Sequence, residues 1–265
     1  MAQEKWLVDG PKVIDLENIG RLKVSLVGGN VDIVAHDEPG VRVEVHSVSG
    51  RDLLVQVDGD RLEIDHPQLR WDNWVDAFKN FSSKIRAEVS IMVPRDVAVS
   101  LGVVSAEALV SGLTADVDLN TVSGDLIADG LTGRVKVNSV SGEIVIRDHA
   151  GAIGLNTVSG DVIVSGAITR FDADSVSGQV RLDATGVPDA VRVNTVSGAV
   201  TARFDPDAAA NYTINTVGGR LQLDNISIGT RGGYTGRHGD LDKSWTDVRI
   251  YTVGGDINVL HSVRS

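Results

Sequence analysis

The chain has 265 residues, of which 42% are hydrophobic but only 4% aromatic, with 29 Gly. Its 36 acidic residues against 25 basic ones give a net charge of -11, which repels a phosphate backbone and argues against nucleic acid as a partner. The absence of cysteine excludes disulfides, Cys-ligated zinc and thiol catalysis, and an apolar content drawn from Val, Leu, Ile and Ala beside abundant Gly reads as strands and turns, hence an all-β protein.

The amino-terminal "MAQEKWLVDGPKVIDLENIG" has no apolar run of signal length, and no stretch approaches the roughly 20 apolar residues of a membrane helix. A cytoplasmic protein without a transmembrane segment is expected, reaching the cell surface only if a non-classical route exports it. In "RLKVSLVGGNVDIVAH", Leu22, Val24, Val27, Val31 and Ile33 bracket Gly29. The strand-like "VRVEVHSV", "DLLVQVDGDRLEID" and "KIRAEVSIMVP" follow, and "VDGDRLEI" reads as a hairpin. Between them Trp71, Trp74, Phe78 and Phe81 recur at steps of three, four and three, the spacing of one helical face, so a short aromatic helix is predicted near 71–82. Residues 1–100 are thus expected to form an irregular β cap portion, and residues 101–265 a repeat array.

The array is visible as "LNTVSGDLIA", "VNSVSGEIVI", "LNTVSGDVIV", "ADSVSGQVRL", "VNTVSGAVTA", "INTVGGRLQL" and "IYTVGGDINV". Its glycines are Gly124, Gly142, Gly160, Gly178, Gly198, Gly219 and Gly255, spaced by 18, 18, 18, 20, 21 and 36, with Ala106 a further 18 residues upstream. Self-similarity at such a period is the signature of a solenoid whose units bury their apolar faces only against neighbours. The expected fold is a single-stranded β-solenoid resembling a parallel β-helix, with ~18-residue rungs about 4.8 Å apart and a dry aliphatic interior.

Around Gly142 the apolar residues Val135, Val137, Val140, Ile144 and Ile146 follow steps of two, three, four and two. A step of three reverses strand parity, which predicts the corner at Asn138-Ser139 with Val140 facing inward. Stacking then aligns Asn120, Asn138, Asn156, Asp174, Asn194 and Asn215 into an amide ladder, buried and worth about 1 to 3 kcal/mol per residue.

Read as an active-site loop, "NTVSG" lacks a positioned base: none of His36, His46, His66, His149, His238 and His261 holds a fixed place in the repeat. Asp125, Asp161 and Asp256 could offer calcium ligands, but Gln179 and Ala199 interrupt that column and a solvated acidic face is the plainer reading. No catalytic residue, metal site or cofactor is expected. The segment "DNISIGTRGGYTGRHGDLDKSWTDV" breaks the repeat as an insertion loop at 226–246 and accounts for the missing period before Gly255. Residues for binding a partner are therefore sought in the two segments that depart from the repeat: Trp71, Trp74, Phe78 and Phe81 in the first, and Arg231, Tyr234, Arg237 and Trp245 in the second. The aromatic face would otherwise cap an open solenoid end.

A segment ending in "VSIMVP" followed by many "SGD" or "SGE" strand units resembles the bacterial putative-adhesin family of β-strand-repeat proteins, a domain of unknown function, from about Gly20 to Val259. The resemblance implies a right-handed β-solenoid and, through some relatives, a link to the bacterial envelope or envelope stress; it supplies no catalytic residues. The expected function is a non-enzymatic binding or scaffold protein with an unknown protein or glycan partner. A self-assembling structural protein and a carbohydrate-active enzyme on a β-helix are the alternatives.

Overall fold

In the computed structural model, the described residues are 4–66, 85–224, 226–228, 232–240, 242 and 244–261. They are all-β, and none of their elements is a helix long and apolar enough to cross a membrane. The helix predicted near 71–82, with Trp71, Trp74, Phe78 and Phe81, lies outside them, as does Arg231. The chain divides into two compact units, Met1–Ala128 and Asp129–Ser265.

The first unit carries β1 (Glu4–Val8), β2 (Lys12–Leu16), β3 (Arg21–His36), β4 (Val41–Ser49), β5 (Leu53–Asp58), β6 (Arg61–Asp65), β7 (Arg86–Pro94), β8 (Ala98–Ser111) and β9 (Val117–Ser123). Strand β3 is its axis. One edge of β3 runs parallel to β8, pairing Leu22 with Val99 and Ile33 with Val110. The other edge is shared, pairing Leu22 with Leu62 on β6 and Val31 with Val89 on β7. Antiparallel strands finish the layer: β5 and then β1 lie beyond β6, β4 and then β2 beyond β7. The β5–β6 hairpin is the one read from "VDGDRLEI", with Gly59 at φ 64° in its turn.

β10 (Leu126–Asp129) runs into the second unit, which holds β11 (Thr132–Ser141), β12 (Ile144–Thr157), β13 (Val162–Ser175), β14 (Val180–Ala184), β15 (Ala190–Thr195), β16 (Val200–Phe204), β17 (Ala209–Thr216), β18 (Leu221–Leu223), β19 (Ile226–Ile228), β20 (Gly232–His238), β21 (Trp245–Thr252) and β22 (Ile257–His261). Parallel pairing at the repeat interval stacks the rungs: Val135 lies beside Ile153, Ile153 beside Phe171 and Phe171 beside Val191. Val, Ile and Leu fill the inward positions because branched side chains suit a pleated, close-packed face. Each such burial removes apolar surface worth about 1.5–3 kcal/mol per side chain.

Spatial order departs from chain order at the last rung. β21 pairs with β15 on one side and β17 on the other, and β22 sits likewise between β16 and β18. The final repeat is therefore inserted between the two repeats that precede it. Within the 226–246 segment, read above as a loop, the described residues include two covering strands: β19 pairs antiparallel with β18, and β20 with β17. These cover the free edges and allow the chain to return for its last rung.

The corner also differs from the parity argument. In each second-unit motif the Ser or Thr points inward, as at Ser139, Thr157, Ser175, Thr195, Thr216 and Thr252, while the following Val points out. Exposure of those valines runs from 37% at Val140 to 75% at Val217. Alternation thus continues unbroken through Val135, Val137 and Ser139, and the chain turns at the Ser-Gly pair, where Gly142 has φ 113° and Gly160 φ 127°. The physical reason is that the turn itself satisfies a buried hydroxyl. Ser139 and Ser175 donate to the carbonyls of Ser141 and Ser177, and Thr195, Thr216 and Thr252 accept the N–H of Gly198, Gly219 and Gly255. A polar group with a partner is cheap to bury, so Val need not take the inward place.

Candidate functional site

The outward face of these corners is the first candidate. Main-chain bonds stack the exposed valines one over another: Ser159 N–H donates to the Val140 carbonyl, Ser177 to Val158, Ser197 to Val176, Gly254 to Val196 and Gly218 to Val253. The Ser159, Ser177 and Ser197 hydroxyls donate to the same carbonyls at 3.2–3.3 Å. Two residues before the valines stand Asn138, Asn156, Asp174 and Asn194 in direct register. Asn156 Nδ2 donates to Asn138 Oδ1 at 3.0 Å, and Asn194 Nδ2 to Asp174 Oδ1 at 2.8 Å. These side chains lie on the outside, not in a buried ladder. Tyr251 follows Asn194 in the column and separates it from Asn215, because the last rung is interposed. Asn120, in the first unit, donates to the Leu101 carbonyl at 3.5 Å. Valine and carboxamide columns together border a shallow groove of about 240 Å³ along Asn138, Asn156, Val158, Asp174 and Val176.

The carboxylates after the glycines have work within the scaffold. Asp161 Oδ1 accepts the N–H of Gln179, and Asp256 Oδ1 that of Arg220, each at 2.8 Å. They tie one rung to the next, which the reading of a free acidic face did not foresee.

A second cluster sits where β20 covers β17. Strand alternation puts Tyr234 and His238 opposite the buried Ile214 and Ala210. His238 stacks on His261 of β22, with centroids 3.7 Å apart and planes at 10°, and Phe204 flanks His261 at 5.8 Å. His261 Nε2 is 2.8 Å from the hydroxyl of fully buried Tyr212. Its Nδ1 lies 3.2 Å from Asp224 Oδ2, while its backbone N–H donates to Asp224 Oδ1 at 2.6 Å. Asp224 holds a left-handed backbone, φ 51°, rare for a residue with a side chain. Burial, and then the adjacent His238, hold the His261 imidazole below its ordinary range, with Asp224 pulling the other way. Burial chiefly, then Asp224 and Tyr234, push the Tyr212 phenol above its ordinary value.

Of the residues expected to meet a partner, Tyr234 and Arg237 lie on β20 with side chains on opposite faces, Arg237 being exposed. Trp245 begins β21, is 41% exposed and pairs with Ala209. Asp224, His238 and His261 were not predicted: each lies on a different segment, and only the interposed last rung brings them together. Their metal-ligating atoms all fall within 4.8 Å of one another.

Parallel rungs, inward aliphatic columns and edge-covering antiparallel strands define an all-β, β-solenoid-like repeat protein. The chain belongs to the Toastrack DUF4097 family, matched over residues 19–260. Among solved structures it is similar to a putative adhesin from Bacteroides fragilis, at 9% identity and a TM-score of 0.45, with 94% of this chain and 97% of that one covered. A putative adhesin from Parabacteroides distasonis shares 14% identity at a TM-score of 0.42 over 98% and 97% of the two chains. A putative lipid binding protein from the same organism shares 10% at 0.35, over 95% and 97%. No curated protein matches.

Proposed function

We propose that the protein is a non-enzymatic binding or scaffold module whose working surface is the outward corner ridge of the second unit, built on a single-stranded, right-handed solenoid of ~18-residue rungs. One observation carries this reading: Val140, Val158, Val176 and Val196 are exposed in a continuous column beside Asn138, Asn156, Asp174 and Asn194. Exposed apolar side chains scattered singly need no explanation, but a contiguous row flanked by hydrogen-bonding groups suits a docking surface. The row offers a partner equal groups at each rung, so affinity accumulates over several rungs. A protein strand or a glycan chain, each able to repeat its own contacts, fits such a surface.

The non-enzymatic reading is supported by the burial of Tyr212, whose hydroxyl, 2.8 Å from His261 Nε2, is shielded from any substrate in bulk solvent. The test is a double substitution, Val158→Lys with Val176→Lys, compared with the parent in capture of envelope proteins and in glycan-array binding. Loss of a specific partner with an unchanged melting temperature supports the ridge. Retention of every parent partner by the double variant removes it.

A further inference from the structure

The His261 side chain is fixed in a manner that a scaffold does not require. Phe204 and His238 both stack on its ring, and both ring nitrogens face oxygen: Nε2 the Tyr212 hydroxyl at 2.8 Å, Nδ1 the Asp224 carboxylate at 3.2 Å. With the proton on Nδ1, the ring donates to Asp224 and accepts the Tyr212 O–H; with the proton on Nε2, donated to Tyr212, the Nδ1 lone pair is open to an ion that the Asp224 carboxylate also reaches. The carboxylate is itself oriented, because Oδ1 takes the His261 backbone N–H, and the turn carrying it is held in a left-handed conformation with Asp224 N–H bonded to the Val259 carbonyl at 2.8 Å. Backbone strain of this kind clusters at functional sites.

We propose that Asp224, His238 and His261 form a binding site for a borderline divalent transition-metal ion such as zinc, with Tyr212 as the hydrogen-bond partner that orients His261. Two imidazoles and one carboxylate are a ligand set for zinc, cobalt or nickel, whereas calcium and magnesium take oxygen. A metal-bound histidine ordinarily donates its other ring N–H to an oxygen, which fixes its tautomer, and Tyr212 is placed to accept it. In the stacked arrangement the two ring planes lie 10° apart, so their lone pairs run side by side. Ligation therefore requires His238 to turn out of the stack. It is half-buried, its Nε2 only 3.4 Å from the Pro206 carbonyl, and it stands on a covering strand. A fourth position is left to water. The ion would join β20, β22 and the turn after β18.

The experiment uses the full chain, stripped with chelator and titrated with zinc chloride by calorimetry, with a thermal melt at each end point. One ion per chain, a rise in melting temperature reversed by chelator, and cobalt(II) absorption typical of a tetrahedral nitrogen–oxygen site are expected. His238→Ala and Asp224→Asn should each weaken zinc binding at least about tenfold, and Tyr212→Phe by about tenfold while keeping one ion per chain. His238→Gln, which keeps a polar side chain of similar reach, serves if His238→Ala does not fold. His46→Ala, at a surface histidine outside the cluster, should leave affinity unchanged. Absence of saturable binding, equal affinity in the parent and the His238 variant, or calcium binding as tight as zinc would each overturn the proposal.

Discussion

Gly255 stacks on Gly198, so closely that a Cβ on Gly255 would run into the Gly198 carbonyl oxygen, and Gly219 stacks on Gly255 in the same way. The column therefore runs Gly198, Gly255, Gly219, in agreement with the strand register and not with the order of the chain. It also explains why glycine recurs: the rungs approach through bare Cα atoms.

Gly160→Ala should be strongly destabilising. Its Cβ would meet the Gly142 carbonyl oxygen, and its backbone stands at φ 127°, outside the range open to alanine. A loss of more than about 3 kcal/mol, or failure to fold, is expected from combined steric overlap and strain. Gly154→Ala is the matched control, since open space surrounds its would-be Cβ. Denaturant midpoints of the two variants check this, and similar midpoints would refute the close approach.

Thr195→Val tests the buried hydroxyl. Valine matches the shape but leaves the Gly198 N–H without its 3.2 Å acceptor, at a cost of about 1–3 kcal/mol. Ser159→Ala, losing an exposed bond to a carbonyl that the Ser159 N–H still serves, should cost less, about 0.5–1 kcal/mol. The reverse ranking in thermal melts would show that the hydroxyl does not hold the turn.

Asn156→Ala should cost no more than about 1 kcal/mol, because its bond to Asn138 is made on an exposed face where water replaces the lost partner. A buried ladder would have cost two or three times as much. Chemical denaturation resolves the two cases.

Acid should weaken the first unit through His66. Its buried ring accepts the Val27 N–H on Nδ1 at 3.4 Å, a bond that needs the neutral imidazole, and burial lowers its pKa from 6.5 to about 4. A pKa depressed in the folded state means that the contribution is fully present above pH 6.5 and is lost as pH falls from 6.5 towards 4. The loss amounts to about 3 kcal/mol at most. His66→Leu should flatten that part of the stability–pH curve, and an equally steep curve in the variant would assign the effect elsewhere.

The rung period, the stacking of glycines and the Gly59 hairpin were legible because each is a local pattern repeated or bounded by turn residues. The corner was misplaced because apolar spacing alone counts Val140 as core and Ser139 as surface; the turn's own hydrogen bonds reverse both. The column of Asn138, Asn156, Asp174 and Asn194 follows from period alone, whereas its outward face and its interruption by Tyr251 do not. The histidine cluster had no signal in the sequence at all. His261 meets Asp224 and His238 only because a later segment inserts between two earlier ones, and no periodicity along the chain encodes that choice of neighbours.

That insertion separates the order of synthesis from the order of stacking. A chain emerging from the ribosome can lay β12 on β11 and β13 on β12 as each appears, but β17 and β18, paired only with their covering strands β20 and β19, do not join the stack until β21 and β22 arrive. The last part of the second unit must close as a single long-range step, slower than the rung-by-rung growth before it. Chains cut short ahead of Trp245 would leave two unmatched layers open to other molecules.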